Sequence, residues 1–241
     1  MEAPVQRAKQ KDVLALPNYG PIEAAAFLHI PYETVRYWIS PESGPIVAPA
    51  QKRPQILSFK NLVECYVLDI LRRVEGISMP KVRFSVETLR ALQDARHILH
   101  SDHPLADHDL KVDTKLKTLY IYDLQGSIVN LTTGGQIEVP QWVEPFLRRV
   151  VRDKDGVARS FHPLLRRSDA PENMVNDPEY VLVDPRISFG KPVVAGTGIS
   201  TEVIAGRLRA GDPEEELVSE YGRTLAEIRA AAQFEGVPTT A

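Results

Sequence analysis

One cysteine, Cys65, stands among 241 residues. An internal disulfide framework is thereby excluded, and this usage fits a reducing cytoplasm. No apolar run approaches the length needed to cross a bilayer, and the first residues hold no signal-peptide core, so a cytoplasmic chain with no membrane contact is expected. Charge of one sign is missing too. A net charge of −3 with 25% charged residues describes neither a basic nucleic-acid coat nor a disordered acidic chain. Catalytic signatures are also absent: there is no G-x-S-x-G elbow and no His-Glu-x-x-His pair. Ser188-Phe189-Gly190-Lys191-Pro192 lacks the earlier glycine of a phosphate-binding loop, and a proline follows its lysine. Gly196 and Gly198 alone make no dinucleotide fingerprint. The chain therefore reads as a non-enzyme with no cofactor.

Proline, by contrast, is plentiful, with 19 residues, and suggests a segmented chain long enough for two domains. The charge is unevenly spread. Residues 1–60 carry seven Lys/Arg against five Asp/Glu, residues 148–167 carry seven against two, and residues 201–241 carry four against eight. The acidic tail is poorly suited to neutralising phosphates. It is expected to bind protein, with nucleic acid meeting the chain elsewhere.

The most informative stretch lies near the end. Two β-branched runs, Tyr180–Val183 and Pro192–Ala195, flank a turn with Asp184-Pro185 and Gly190-Lys191-Pro192, which predicts a β-hairpin. Asp184 suits an Asx turn before Pro185, with Arg186 within pairing reach. Three helices should follow. The first spans Thr201 to Ala210, with Val203, Ile204 and Leu208 inward and Gly211 as its stop. The second opens at Asp212-Pro213-Glu214-Glu215, buries Leu217, Val218 and Tyr221, and ends at Gly222. The third opens at Thr224 with Glu227 three residues on, its apolar face being Leu225, Ile228, Ala231 and Ala232.

The ordered submotifs "DPRI", "GKP" and "GTGI", followed by "AGDPEEELVSEYG" and "TLAEIRAAAQFE", resemble a small bacterial domain family with the pattern DPRI, GKP, GTRI and then three helices. Members occur in operons with PIN-like ribonuclease toxins and are regarded as VapB-type antitoxins. The resemblance covers about the last 60 residues, and Gly198 stands where that pattern usually has Arg. It implies a cognate PIN-like toxin as partner. Arg186 and Lys191 would line the partner-binding groove, although a purely structural hairpin reads equally well.

At the other end, residues 1–17 read as a loose polar arm. Pro21 suits the first turn of a helix burying Ile22, Ala25, Ala26 and Leu28. A turn at His29-Ile30 precedes a second helix opened by Pro31, with Val35 and Trp38 inward and Tyr32, Thr34, Arg36 and Tyr37 partly outside. Two short helices and a tight turn read as helix-turn-helix. Ile46–Pro49 and Lys52–Leu57 read as a wing. Ser58-Phe59 then caps a helix from Lys60 to Glu75 through Leu62, Val63, Val67, Leu68, Ile70 and Leu71. Gly76–Pro80 starts another, carrying Val82, Phe84, Val86 and Leu89. Thr34-Val35-Arg36-Tyr37-Trp38 and the element order over residues 19–96 resemble the MerR family of transcription factors, with departures at His29 and Pro31. That resemblance implies a DNA-binding head, a homodimer on a symmetric operator, and DNA contacts from Tyr32, Thr34, Arg36, Tyr37, Lys52 and Arg53. A pair of packed helices without DNA, and a solvated basic turn at Lys52-Arg53, are the plain alternatives.

Residues 97–109 hold His97, His100, His103 and His108 beside Asp102 and Asp107. A transition-metal site is one reading of these side chains, and would suit a metal- or effector-responsive regulator with no toxin. The spacing matches no closed tetrahedral pattern, so a polar linker with no metal is expected. Thr118–Asp123 and Ser127–Leu131 predict a hairpin around Leu124-Gln125-Gly126, and Thr133–Gln136 a second turn into Ile137–Val139. Pro140–Val151 reads as a short helix. Arg148, Arg149, Arg152, Lys154, Arg166 and Arg167 read as a basic cluster that could support a DNA backbone or attract an acidic partner, with a solvated amphipathic face as the plain alternative. Residues 168–178 read as a linker. The expected class is α+β: a MerR-like winged head (1–109), a β-rich extension (110–167), and a hairpin with three helices (168–241).

Overall fold

The computed structural model describes residues 12–74, 76–95, 98, 100–113, 115–137, 148–154, 156–165 and 177–238. It is an α+β protein. Helices α1 (Pro21–Leu28) and α2 (Tyr32–Ile39) are joined by His29, whose left-handed backbone (φ 52°) closes α1. Pro21 opens α1, and the Glu23 carboxylate accepts from the Gly20 N–H at 3.4 Å. Inside lie Ala24, Ala25 and Leu28, and Val35, Trp38 and Ile39. Ile22, expected inside, is 72% exposed, and Ala26 is exposed too. Eight residues make barely two turns, too few for spacing alone to fix which stripe faces inward.

Ile46 and Val47 form no wing strand. Their N–H groups bond the Trp38 carbonyl at 2.9 and 3.2 Å, and both side chains are buried. The hairpin is shorter: β1 (Gln51–Lys52) pairs antiparallel with β2 (Gln55–Ile56). Ser58 then caps α3 (Phe59–Asp69), which continues as a π-helical turn, Ile70–Val74. Phe59, Leu62, Val63, Val67, Leu68, Ile70 and Leu71 are all at most 1% exposed. A helix apolar all round must be covered all round. Here α1, the Val13–Ala15 turn, α5 (Pro104–Asp107) and β8 (Ala158–Phe161) pack on it. Leu14, expected in a loose arm, is 1% exposed within this core, and residues 1–11 lie outside the described set. Helix α4 (Met79–Asp94) buries Val82, Val86 and Leu89, while Phe84, expected inside, is 46% exposed.

Strands β3 (Lys111–Asp113), β4 (Thr118–Tyr122), β5 (Ile128–Asn130) and β6 (Gln136–Ile137) form an antiparallel sheet in that order. Residues 140–147 of the expected 140–151 helix lie outside the described residues. Its end is a strand instead: β7 (Val150–Arg152) pairs with β8, Val150 opposite Phe161. Strands β9 (Val181–Leu182) and β10 (Val193–Val194) pair antiparallel, as the two β-branched runs require.

The last three helices follow their caps. They are α6 (Thr201–Ala210), α7 (Glu214–Tyr221) and α8 (Leu225–Phe234). Gly211 and Gly222 end α6 and α7 in the left-handed region. Thr224 and Glu227 form a reciprocal capping box on α8. Val194, Ile204, Leu217, Ile228 and Ala231 make a small core of their own. Val203, 51% exposed, and Leu225, 37% exposed, fall outside it. Position 203 sits about 100° around the helix from Ile204, whose row with Leu208 takes the inner face. The C-terminal unit is nonetheless docked on the rest, because Val183 pairs with Phe161 across the large core. No helix among the described residues is long and apolar enough to cross a membrane.

The fold also sets an acid limit. His108 is 8% exposed, and the Gln93 side-chain amide donates to its Nε2 at 3.0 Å, so Nε2 is the unprotonated nitrogen. Burial pushes the His108 pKa down to about 4, with the Asp107 charge opposing and Arg152 assisting. Burial lowers His29 as well. The unfolded chain takes up these protons near pH 6.5, whereas folded His108 resists until about 4. Stability is therefore full above 6.5 and falls as the pH drops through that window. Urea midpoints measured from pH 7.5 to 4.5 should decline, and more shallowly in His108→Gln.

Candidate functional site

Two surfaces gather the residues singled out by sequence. The first is the outer face of α2. Tyr32 and Tyr37 are 41% and 47% exposed, Arg36 is exposed, and Thr34 is half-buried. Val35 and Trp38, fixed in the core, aim the intervening positions outward. Arg36 Nη1 contacts Glu33 Oε2 at 3.3 Å, an open i,i+3 pair of small energetic weight. The β1–β2 hairpin lies beside the end of α2, since the Gln55 amide donates to the Ile39 carbonyl at 3.2 Å. Lys52 and Arg53 are exposed at its turn. Asn61, fully buried in α3, steadies the approach to that hairpin. Its side chain accepts from the Ala50 N–H at 3.0 Å and donates to the Ala48 carbonyl at 2.9 Å.

One cation on this face escaped the sequence reading. Arg83 of α4 donates to the Gly44 carbonyl at 2.7 Å, and its guanidinium stands 5.8 Å from the Tyr37 ring centroid. A cleft of about 410 Å³ beside Thr34 and Tyr37 also includes Arg72 and Arg73. Arg73 is held by Asp69 at 2.7 Å. Nothing in the local sequence ties position 83 to position 37, 46 residues away.

The second surface is the turn between β9 and β10. Asp184 is 4% exposed and accepts from the Arg186 backbone N–H and Nε at 2.9 Å and from Nη2 at 2.6 Å. Burial pushes the Asp184 carboxyl up, and the Arg186 bonds override it, leaving it below its ordinary value. This is the expected Asx turn with its salt bridge. Lys191 lies 3.4 Å from Glu202 on α6. Both cationic side chains stay open, Arg186 at 60% and Lys191 at 55%. Between them projects Phe189, 89% exposed, within the Ser188–Pro192 segment that lacks the features of a phosphate-binding loop.

The turn is bonded to the front of the chain. Asn18 Nδ2 donates to the Phe189 carbonyl at 2.7 Å, and the buried Tyr19 hydroxyl donates to that of Gly190 at 3.2 Å. Farther along this junction the His29 ring meets Phe234 edge-on at 4.8 Å, beside a cleft of about 730 Å³.

The other sequence candidates are structural. His103 bonds Glu64 at 3.2 Å, His108 bonds Gln93, and His100 sits open near Asp102, while His97 lies outside the described residues. Burial raises the Glu64 pKa, with His103 opposing. Among the described residues no group of three or more His, Cys, Asp or Glu is arranged to hold a metal. The basic cluster dissolves as well. Arg149 is 7% exposed and bonded to backbone carbonyls and Asp177. Arg152 bonds the carbonyls of Ala106 and Gly156. Arg148 and Lys154 are the exposed members among the described residues, and Arg166 and Arg167 lie outside them. Of the expected 168–178 linker, Asp177 proves to be a bonded part of the fold, and residues 168–176 lie outside the described set.

Comparison with known proteins gives three findings. A family model described as "Protein of unknown function (DUF433)" matches residues 181–234, the β9–β10 hairpin through α8. The chain is 30% identical over 240 residues to a Mycobacterium tuberculosis (strain ATCC 25618 / H37Rv) protein named "Putative antitoxin VapB45", a match covering 90% of this chain and 92% of that one. The X-ray crystal structure of Rv2018 from Mycobacterium tuberculosis shares the fold, with a TM-score of 0.59 at 22% identity over 90% of this chain and 97% of that one.

Proposed function

From the premise that this chain belongs to the family of that VapB45 relative, we propose that it is the antitoxin of a type II toxin–antitoxin pair. It binds and neutralises a PIN-like ribonuclease toxin, and it binds operator DNA to regulate its own transcription. The observation that carries the reading is the near full-length relation, 90% of one chain against 92% of the other. The front of the chain, residues 1–109, acts as a MerR-like winged head and works as a homodimer in the cytoplasm. Residues 110–167 extend it, and residues 168–241 hold the toxin without catalysis or cofactor. The exposed α2 face and the nearby Lys52-Arg53 turn support the DNA half of this reading. Tyr32, Thr34, Arg36 and Tyr37 meet the duplex, with Lys52 and Arg53 on phosphates. Arg186 and Lys191, open on the far turn, face the toxin. The separate hydrogen-bonded fates of His103 and His108 lend no support to a metal-responsive regulator.

The DNA half is tested through salt. Each phosphate contact contributes roughly 0.9 to the slope of log K against log salt. Titration of the upstream duplex with Lys52→Ala/Arg53→Ala should weaken binding and reduce the slope by about 2. An unchanged slope would remove the hairpin from the DNA interface. The toxin half is tested by co-expression and pull-down with the product of the neighbouring gene: capture of a PIN-like protein supports the reading, and capture of nothing contradicts it.

A further inference from the structure

Ser188, Phe189 and Gly190 are three successive residues in the left-handed region, with φ of 46°, 56° and 79°. Only the glycine adopts that backbone freely; the serine and the phenylalanine are held there against their preference. The restraints are visible. Asn18 Nδ2 grips the Phe189 carbonyl at 2.7 Å, Tyr19 grips Gly190 at 3.2 Å, and the Ser188 hydroxyl donates to the Gly198 carbonyl at 3.0 Å. Every restraint acts on the turn's frame, while the Phe189 ring, 89% exposed, stands in water. A single exposed apolar side chain needs no explanation. An exposed aromatic ring on a strained backbone braced from 171 residues away does, because strain of this kind collects where a fold presents a group for use.

We infer that Phe189 is the anchor by which this turn enters an apolar, acid-rimmed pocket on the toxin. The inference rests on the antitoxin reading above and names the contact that reading leaves unassigned. The rim chemistry follows from the flanks. Between Pro185 and Pro192 the turn carries two cations, Arg186 and Lys191, and no acid. Asp184 engages two of the five guanidinium donors of Arg186, leaving three for a partner. A turn backbone already held in one conformation costs little further ordering on docking, and an aromatic side chain filling a pocket is a common interface anchor. Asn18 is then a positioning residue: it touches no partner but holds the anchor's backbone.

The test measures affinity for a purified PIN-like ribonuclease captured by this chain on co-expression with the product of the neighbouring gene, alongside thermal midpoints of the free chain. Phe189→Ala should weaken binding about 30-fold or more. Phe189→Tyr, which keeps the ring, should stay within about 5-fold of the parent. Phe189→Gly should raise the thermal midpoint, since glycine accepts this φ freely, and still lose binding. Asn18→Ala should weaken binding by about 5-fold with the ring intact. A merely structural phenylalanine would move midpoint and affinity together. Parent binding with Phe189→Ala within about 3-fold overturns the anchor and leaves the antitoxin reading standing. No binding by the parent chain overturns both. Loss of self-association with unchanged toxin affinity assigns the turn to a second copy of this chain and overturns the inference.

Discussion

Arg149→Ala should lower unfolding free energy by about 3–5 kcal/mol, the usual loss when one partner of a buried ionic cluster is removed. The guanidinium joins three separate pieces of chain. It donates to the His162 carbonyl at 2.8 Å, to the Pro163 carbonyl at 3.0 Å, and to the Asp177 carbonyl and carboxylate at 2.7 and 3.2 Å. Asp177 in turn accepts from the Leu165 N–H at 2.9 Å. Burial already raises the Asp177 pKa against the pull of that N–H and of Arg149. Deleting the cation strands a carboxylate and several carbonyls away from water, each at the cost of an unmade hydrogen bond. Arg149→Lys should recover little, because one ammonium cannot span carbonyls arranged around a planar fork. Urea unfolding reads this directly as a lower midpoint at unchanged slope. A loss under about 1 kcal/mol, together with weaker DNA binding, would return Arg149 to the surface role that its sequence neighbourhood suggested.

Gly190→Ala should be the other severe substitution, at roughly 2–4 kcal/mol. Two independent causes meet there. The backbone φ of 79° disfavours any Cβ, and a Cβ built at that position overlaps the Tyr19 hydroxyl. Tyr19 has nowhere to retreat: it is 1% exposed, pairs with Leu57 beside the hairpin, and has its pKa pushed up to about 12, chiefly by burial. Removing the hydroxyl should relieve only the overlap. Tyr19→Phe/Gly190→Ala should therefore be more stable than the two single effects summed, a coupling expected for residues in contact. Strict additivity in the cycle would show that the overlap is absorbed elsewhere and that only the φ term matters.

The parts legible in sequence were those whose determinants lie within a few residues. Gly211, Gly222 and the Thr224–Glu227 box set the ends of α6 to α8 because caps act locally. Pro21, Pro31 and Ser58 opened their helices for the same reason. The misplacements needed distant chain. Ile46 and Val47 looked like a strand and are instead drawn under Trp38, while Val150 joined β7 because Phe161 supplies its partner. Arg149 and Arg152 read as surface charge because Lys/Arg density says nothing about which carbonyls will surround a guanidinium. At the candidate site, the exposure of Tyr32, Arg36 and Tyr37 followed from the burial of Val35 and Trp38 in one short helix. Arg83 and the bracing of Phe189 by Asn18 were invisible, since both depend on contacts between segments far apart in the chain. Ser-Phe-Gly before Lys-Pro carried the one available hint, a large apolar residue inside a turn.

The division of labour between the two surfaces is tested best on the intact chain, because Phe161 and Val183 share one core and a truncation would disturb both ends. Operator and toxin affinities should be measured side by side for Arg36→Ala/Lys52→Ala/Arg53→Ala and for Arg186→Ala/Lys191→Ala. If the front grips DNA and the rear turn grips protein, the first variant loses operator affinity and keeps toxin affinity, and the second does the reverse. Toxin affinity lost in the first variant with operator binding untouched, or operator affinity lost in the second with toxin binding untouched, would contradict it.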